Sequence, residues 1–449
     1  MTSTAREQWR SARGFLLASL GAAVGLGNVW RFSYVAGENG GGAFLLVYLL
    51  MVLLVALPLL LAEYAIGRAT QRESAAALHV LAPGSPWRHL GLLGVLLSAL
   101  VLGYYAVIAG WVFKYLGLYL QGDGPALAER GFAQAFDAHL ASGVEPLLWQ
   151  LVGLVLCGAV VVLGVRRGIE RVSGWLMPLM AALLVLLVLR NTALPGFGPA
   201  LEFLFMPDWT VLARPQVYLA ALGQALFSIG VAMGVMVTYG SYLGPQQPLP
   251  HIALAVVLGD TLFALTAGLV IFPAVFSAGL DPAQGPGLAF VVLPQVFARL
   301  EGGAVYAAVF FLLLSIAALT SMVSLLEVPV AYAMERWGCS RLRASVLLGA
   351  ALFLLGVPAS LGHGPWAPWQ LDSGPGVLAL MDFVAVDLLL PINALLLSLM
   401  VGWVWSARSA QAAAGLVSAG WTRLWRGLLR YGVPLLVGLV LLGGLSQGT

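Results

Sequence analysis

Long apolar stretches separated by short polar breaks run through most of this sequence. Each stretch is long enough to cross the ~30 Å hydrocarbon core of a bilayer as a helix. Ten-residue alternating segments, which would indicate a transmembrane β-barrel, do not describe the pattern. The pattern therefore predicts an all-α polytopic membrane protein with about 11 transmembrane helices. These helices are expected near residues 14–36, 42–67, 90–120, 147–165, 172–190, 216–242, 252–278, 303–335, 344–361, 376–406 and 428–446.

Composition narrows the class further. Apolar residues make up 61% of the 449 residues and charged residues only 9%, whereas soluble domains carry about a quarter charged residues. A soluble globular protein is therefore excluded, and no nucleic-acid partner is expected. Cys157 and Cys339 lie in unrelated segments, so neither a disulfide framework nor a metal cluster is indicated.

The basic residues predict the orientation. An N-terminus on the cytoplasmic side places sixteen of the 22 Lys and Arg residues on that side, as the positive-inside rule requires. Residues 1–13 are then a cytoplasmic segment of a multi-pass protein in the bacterial plasma (inner) membrane. Residues 407–427 are a cytoplasmic connection before the last helix at 428–446, although Ser409 to Trp425 could instead form an interfacial helix or a poor span.

Glycine interrupts two of the apolar stretches, at Gly21 to Asn28 and at Phe227 to Gly234. The two interruptions begin two groups of five spans, 14–190 and 216–406. Paired breaks of this kind are typical of an inverted-repeat transporter whose binding site lies at the midplane. The pattern therefore predicts a 5+5 inverted repeat with unwound helices 1 and 6, plus one additional helix. The alternative is that these glycines only allow close helix packing.

Polar residues inside the spans favour the transporter interpretation. Arg31 is expensive in a bilayer unless it faces a cavity and a partner, and Asp382 in the tenth span is the candidate partner. Unwound N–H and C=O groups cost several kcal/mol in lipid, so a ligand is expected to satisfy them. Half-helix N-termini attract a carboxylate, and bared carbonyls suit sodium.

Characteristic motifs are distributed along the chain, and the one in the first span is long and specific. They are Arg6 to Trp9, Gly25 to Phe32, Glu38 to Phe44, Glu63 to Arg68, Tyr104-Tyr105, Gly223 to Ala225, Thr238 to Tyr242, Leu319 to Ser321 and Met381 to Phe383. Together they resemble the neurotransmitter:sodium symporter family, and in particular its bacterial amino-acid members with the leucine-transporter fold, such as the multi-hydrophobic amino acid transporters. The resemblance covers nearly the whole chain.

The resemblance implies two Na⁺ sites and no organic cofactor. The first site would use Ala23, Asn28, Ser228 and Asp260 together with the substrate carboxylate. The second would use Gly21, Val24, Ala317, Thr320 and Ser321. Taken alone, Thr320 and Ser321 are more simply explained by hydrogen bonds to their own helix.

The resemblance also bears on chloride, which animal members bind near residues similar to Tyr48, Gln224 and Ser228. The seventh-span residue that would complete that site is Ala264, which has no hydroxyl, and Asp260 stands where many relatives carry Asn. We therefore expect that chloride is not required and that Asp260 supplies the compensating charge.

The substrate is expected to be an amino acid, because Gly25 stands where monoamine carriers have an Asp. The residues implied to contact it are Ala23, Val24, Gly25, Leu26, Gly27, Val101, Tyr105, Ile108, Phe227, Ser228, Gly230, Met233 and Leu325. None is an acid or a base, so a neutral hydrophobic substrate is favoured. Without the resemblance, Val101, Ile108 and Leu325 would be read as ordinary packing residues.

The resemblance implies two gates and a release route. Arg31 and Asp382 would close the outer side, while Arg6, Trp9, Tyr242 and Glu335 would close the inner side. Glu63 would support the unwound part of helix 6. Release of sodium would use Gly168 and Pro178, since proline weakens the helix there, although a static kink explains the proline equally well.

The function indicated is sodium-coupled import of neutral, hydrophobic L-amino acids by alternating access, by a monomer or homodimer in the lipid bilayer. The alternatives are transport of small amino acids or related zwitterions, a channel-like protein, or a binding sensor. An enzyme is not indicated, because no metalloprotease motif or nucleophile–base pair is found and the five histidines lie in or beside connections.

Overall fold

The computed structural model describes residues 7–244, 247–282, 288–367 and 376–445. All regular secondary structure within these ranges is helical. Nine helices there are long and apolar enough to cross a membrane. They are Gly42–Thr70, Pro86–Gln121, Glu145–Val162, Val165–Asn191, Leu249–Ser277, Gly303–Trp337, Arg341–Leu361, Val377–Val404 and Ala419–Gly443.

Two further segments are broken helices, and they take the first and sixth places along the chain. The first consists of Ala12–Ala23 and Gly27–Glu38, which are bent by 50° relative to each other. The sixth consists of Pro215–Ile229 and Val235–Gly240. We number the eleven segments of the described chain as spans 1 to 11. The predicted all-helical fold with interrupted helices 1 and 6 is confirmed.

Local sequence explains where span 1 begins and breaks. The Ser11 side chain accepts a hydrogen bond from the Gly14 N–H and caps the helix start. At Val24 the backbone turns to an extended conformation with ψ 102°, which ends the helix. The last carbonyls of the first half-helix therefore lack partners within that helix. A π-helical turn, Gly27–Arg31, starts the second half.

The gap in span 6 depends on left-handed backbone. Gly230 and Gly234 have φ values of +73° and +74°, which glycine adopts without a steric penalty. Ala232 between them has φ +62°, and for a residue with a Cβ this costs on the order of 1 kcal/mol. The gap is therefore held in place by its surroundings, at some local strain.

Spans 3 and 8 form the centre of the molecule. They pack against each other, and span 3 also contacts spans 4 and 9. The two half-helices of span 1 lie beside spans 5, 7 and 8, and the second half-helix of span 6, Val235–Gly240, lies against span 2. The two breaks are consequently enclosed by helices that satisfy their own backbone hydrogen bonds, as a bilayer requires.

Short helices occupy the connections. The connections between spans 3 and 4 and between spans 7 and 8 contain helical segments. The last span begins at Ala419, within the region predicted as the 407–427 connection. A separate helix precedes it there. The short helices are Ser74–Leu81, Gly124–Arg130, Phe132–Ala141, Phe197–Phe205, Val292–Phe297 and Ala407–Ala414.

Candidate transport site

The break in span 1 lines a small cavity, which we call the central cavity. It measures about 20 Å³, room for about one water molecule. Binding an amino acid there requires side chains such as the flexible Met233 to move. The lining residues are Ala22, Ala23, Gly25, Gly27, Val101, Tyr105, Phe227, Gly230, Met233, Val235, Ser321, Ser324 and Leu325.

Most of the expected substrate contacts meet at this cavity, and Ala22, Val235, Ser321 and Ser324 join them. Val24, Leu26, Ile108 and Ser228 are not among its lining residues. Leu26 and Ile108 lie on a second, larger cavity of about 170 Å³ beside Arg31, which we call the Arg31 cavity. Tyr105 and Phe227 line both cavities and separate them.

Backbone N–H groups of the span 1 break are hydrogen-bonded to side chains of spans 1 and 3. The Leu26 N–H donates to the Tyr105 hydroxyl at 3.0 Å, and the Gly25 N–H donates to Asn28 Oδ1 at 3.0 Å. A Cβ added at Gly25 would lie 2.2 Å from Ser321 Oγ. Glycine is therefore required where spans 1, 3 and 8 meet, and side-chain oxygens accept from both of these N–H groups.

A cluster of buried oxygens lies next to this point. Asn28 Nδ2 donates to Asp260 Oδ1 at 2.6 Å, to the Asp260 carbonyl at 3.1 Å and to Ser228 Oγ at 3.0 Å. Ser228 Oγ donates to Asp260 Oδ2 at 2.8 Å, and the Tyr48 hydroxyl donates to the same oxygen at 3.3 Å. All four side chains are buried. Carboxylate, hydroxyl and carbonyl oxygens converging in this way suit a hard cation.

A second group of oxygens lies between spans 1 and 8. A Cβ built on Gly21 would contact the Thr320 side chain at 3.4 Å, so these two residues are neighbours. The Thr320 hydroxyl donates to its own helix, at Ile316 O and Ala317 O. Thr320 therefore does make the hydrogen bonds to its own helix that were given as the alternative explanation. The carbonyl groups at the end of the first half-helix of span 1 belong to the same group of oxygens.

Side chains of the protein satisfy the gap in span 6. The Ala232 N–H donates to the Glu63 carboxylate, and Asn393 Nδ2 donates to the Ala232 carbonyl at 2.6 Å. Ser98 Oγ donates to the Met233 carbonyl at 2.6 Å. The expectation that a ligand must satisfy the unwound groups is therefore too strong for this gap, because three neighbouring helices supply the partners.

Arg31 closes one side of the Arg31 cavity. Its Nη2 lies 3.7 Å from Asp382 Oδ2, and its Nη1 donates to Gln224 Oε1 at 2.9 Å. The guanidinium also lies over the Phe227 ring, 5.4 Å from its centroid. A cation and its carboxylate partner thus line the Arg31 cavity, and Tyr105 and Phe227 lie between them and the central cavity.

Comparison with known proteins identifies the family. The model of the Sodium:neurotransmitter symporter family matches residues 6–125 and 138–445. This chain belongs to the sodium:neurotransmitter symporter family. A sodium-dependent transporter of Bacillus subtilis is 39% identical over 438 residues, with 97% of each chain covered. A sodium-dependent transporter of Haemophilus influenzae is 32% identical, with 98% of each chain covered.

A solved structure agrees with this assignment. MhsT in complex with L-phenylalanine matches with a TM-score of 0.93 and 44% identity, covering 98% of this chain and 100% of that one. The symporter is therefore a multi-pass membrane protein of the sodium-dependent transporter class, and the family is one of transporters rather than enzymes.

The opposite end of the symporter is closed by hydrogen bonds from the N-terminal segment. Trp9 donates from its backbone N–H to Tyr242 O at 3.1 Å and from its indole to Tyr239 O at 3.0 Å. Arg6 lies outside the described residues. Glu335 forms an ion pair with Arg72 at 2.8 Å. This pair connects span 8 to the segment that follows span 2.

Sequence reasoning missed Glu327 at this end. Its carboxylate is fully buried. It accepts a hydrogen bond from the Tyr242 hydroxyl at 2.6 Å and forms an ion pair with Arg341 Nη1 at 2.6 Å. The signal was available, because an acid within an apolar span requires a partner. The partner on the next span could not be read from spacing alone.

The first turn of span 5 is tied to the N-terminal segment. The Glu7 carboxylate accepts from the N–H groups of Val165 and Arg166, at 3.0 and 2.9 Å, while the Arg10 N–H donates to Glu170 at 2.9 Å. This turn is π-helical from Val165 to Glu170, and it contains Gly168. Pro178 lies inside the α-helix that follows.

Proposed function

We propose that this chain imports neutral, hydrophobic amino acids together with sodium by alternating access. The central cavity carries the proposal. Its walls are mostly apolar and contain no acid or base, while unwound N–H groups and the Tyr105 hydroxyl would receive a carboxylate. The likeness to MhsT, whose structure contains L-phenylalanine, supports a bulky apolar substrate.

Two sodium ions would occupy the two oxygen groups. At the first, Asn28 would turn its amide so that Oδ1 faces the cation beside Ser228, Asp260 and the Ala23 carbonyl. Since Asn28 Oδ1 now accepts from the Gly25 N–H, this rotation would release that N–H for the substrate carboxylate. Ion and substrate would then complete each other's sites, which is a physical basis for coupling.

The second ion would lie among Gly21, Val24, Ala317, Thr320 and Ser321. No formal charge belongs to this set, so the affinity would be modest, as suits an ion that must leave. Its release would follow loosening of the first turn of span 5, around Gly168 and before Pro178. The four N-terminal hydrogen bonds to Val165, Arg166 and Glu170 would then have to break.

The two closures would alternate. Arg31 and Asp382 would form the gate on the outer side, above Tyr105 and Phe227. Trp9, Tyr242, Glu327 and Arg341 would form the inner one, with the N-terminus in the cytoplasm as the distribution of basic residues favours. Opening both together would produce a channel, and the closed contacts at both ends of this structure favour a carrier.

Binding and uptake by the purified protein in proteoliposomes test this proposal. Labelled L-phenylalanine is expected to bind saturably in NaCl and to lose at least about tenfold in affinity when K⁺ replaces Na⁺, because the ion completes the carboxylate site. Unlabelled leucine should compete, and glutamate and lysine should not, since burying an unpaired charge is costly. Equal binding in both salts, or sodium flux without saturation, would contradict symport.

Chloride dependence provides a separate prediction. Uptake is expected to be the same in chloride and gluconate salts, because Asp260 already supplies a negative charge beside Tyr48 and Ser228. The double variant Asp260→Asn/Ala264→Ser removes that charge and adds a hydroxyl, so its remaining uptake should require chloride. Ala264→Ser alone is the control and should stay chloride-independent. Stimulation of the unmodified protein by chloride would contradict the assignment of Asp260.

A further inference from the structure

Asp387 is a second carboxylate within reach of Arg31. The same guanidinium nitrogen, Nη2, lies 3.7 Å from Asp382 Oδ2 and 3.8 Å from Asp387 Oδ1. Both acids line the Arg31 cavity, and their side chains are about equally exposed, at 25% and 24%, whereas the Arg31 side chain is 8% exposed. One nearly buried cation therefore stands between two acids on the same span.

A π-helical turn makes this arrangement possible. In an α-helix, residues five apart are about 140° apart around the axis, so Asp382 and Asp387 would face different directions. Span 10 is π-helical from Phe383 to Leu389, between the two acids. The i to i+5 repeat of a π-turn brings such residues close to one face, and these turns are frequent at functional sites.

The two acids have different neighbours. Asp382 also accepts a hydrogen bond from the Tyr104 hydroxyl of span 3, at 2.9 Å. Asp387 lies against span 6, where a Cβ added to Gly223 would be 3.1 Å from its Oδ1. Arg31 is itself joined to span 6 through Gln224. Asp382 thus links Arg31 to span 3, while Asp387 lies on the side of Arg31 that faces span 6.

We propose that Asp387 is a positioning residue that keeps Arg31 paired when its contact with Asp382 separates. The inference rests on the proposed function, in which the Arg31–Asp382 contact opens once in every cycle. A buried cation without a partner is strongly unfavourable. With Asp387 in place, opening transfers the guanidinium from two carboxylates to one, and the open state keeps a compensated charge.

The proposal predicts opposite effects for the two acids. Asp382→Asn weakens the closed gate, so bound L-phenylalanine should dissociate faster. Asp387→Asn destabilises the open gate, so dissociation should become at least about tenfold slower, since Asp382 is then the one ion-pair partner left to the guanidinium among the described residues and must be given up on opening. A residue that merely supports the closed gate would change the rate in the same direction as Asp382→Asn.

The experiment measures dissociation of labelled L-phenylalanine from the purified protein in NaCl after dilution into unlabelled ligand. Asp387→Ser is measured as a second neutral variant, and Asp387→Glu should recover most of the original rate. Asp208→Asn, which removes an exposed acid, is the charge control and should have no effect. Faster or unchanged dissociation in Asp387→Asn and Asp387→Ser would overturn the proposal. If the unmodified protein binds no L-phenylalanine in sodium, the proposed function is what fails.

Discussion

Replacing Asn28 by alanine is expected to remove the sodium dependence of amino-acid binding and to lower affinity in NaCl by at least about 100-fold. Asn28 makes three hydrogen bonds to the oxygen cluster and one to the Gly25 N–H. Alanine cannot supply the proposed Oδ1 ligand to the sodium ion, and a polar contact to a charged group contributes about 1.5–3 kcal/mol, where each 1.4 kcal/mol is tenfold in affinity. Because the ion in turn completes the carboxylate site, substrate affinity falls together with sodium affinity.

Equilibrium binding of labelled L-phenylalanine over a range of sodium concentrations measures this effect. Asn39→Ala is a matched control, because Asn39 directly follows span 1 and its side chain donates to Val35 O of the preceding turn. It should bind as the unmodified protein does. Thermal unfolding in detergent reports whether Asn28→Ala is folded. A folded Asn28→Ala protein that keeps its sodium dependence would rule out the first sodium site as drawn.

Replacing Gly25 by alanine is expected to have a comparable effect by a steric route. The new methyl carbon would lie 2.2 Å from Ser321 Oγ and 3.0 Å from the Tyr105 hydroxyl, far inside van der Waals contact. Ser321 is short and lies on the central span 8, so little adjustment is available there, and overpacking of this kind typically costs about 1–3 kcal/mol. Spans 1, 3 and 8 would separate at the point where substrate and both ions are proposed to meet.

Binding of L-phenylalanine should consequently fall by at least about tenfold in Gly25→Ala. Gly174→Ala on span 5 is the matched control, since a Cβ there meets nothing within 4 Å, and it should bind normally. If Gly25→Ala binds as tightly as the control, then the three spans have room to part and the site is larger than the structure indicates.

The expected substrate contacts on span 3 show which features of the site the family resemblance predicts and which it does not. Val101, Tyr105 and Ile108 lie on one face of span 3, so their spacing alone groups them. In the structure Val101 lies on the central cavity, Ile108 lies on the Arg31 cavity, and Tyr105 separates the two. Three residues advance a helix by about 4.5 Å, which is enough to pass from one cavity to the next. Residue spacing determines which side chains share a face of span 3. Which cavity each side chain lines depends on how span 1 packs against span 3.

The gap in span 6 also combines a feature that the sequence predicts with contacts that only the tertiary structure reveals. Glycines at 230 and 234 marked the break, because only backbone free of a Cβ adopts these turns readily. The groups that satisfy the break are Glu63, Ser98 and Asn393, from spans 2, 3 and 10. Glu63 was anticipated from the family motif. The other two are ordinary polar residues in apolar stretches until the helices are assembled.

The sequence by itself determined the membrane class, the approximate positions of the spans, the two breaks and the residues that stand at them. These follow from the length of apolar runs and from glycine and charge positions, which are properties of short segments. Only the tertiary structure decided that Arg31 lies between two acids, that Glu327 meets Tyr242 and Arg341, and that the N-terminal segment is bound to span 5. Such pairs join groups far apart along the chain, or depend on a π-turn that rotates Asp387 toward Arg31, and neither effect is encoded in residue spacing.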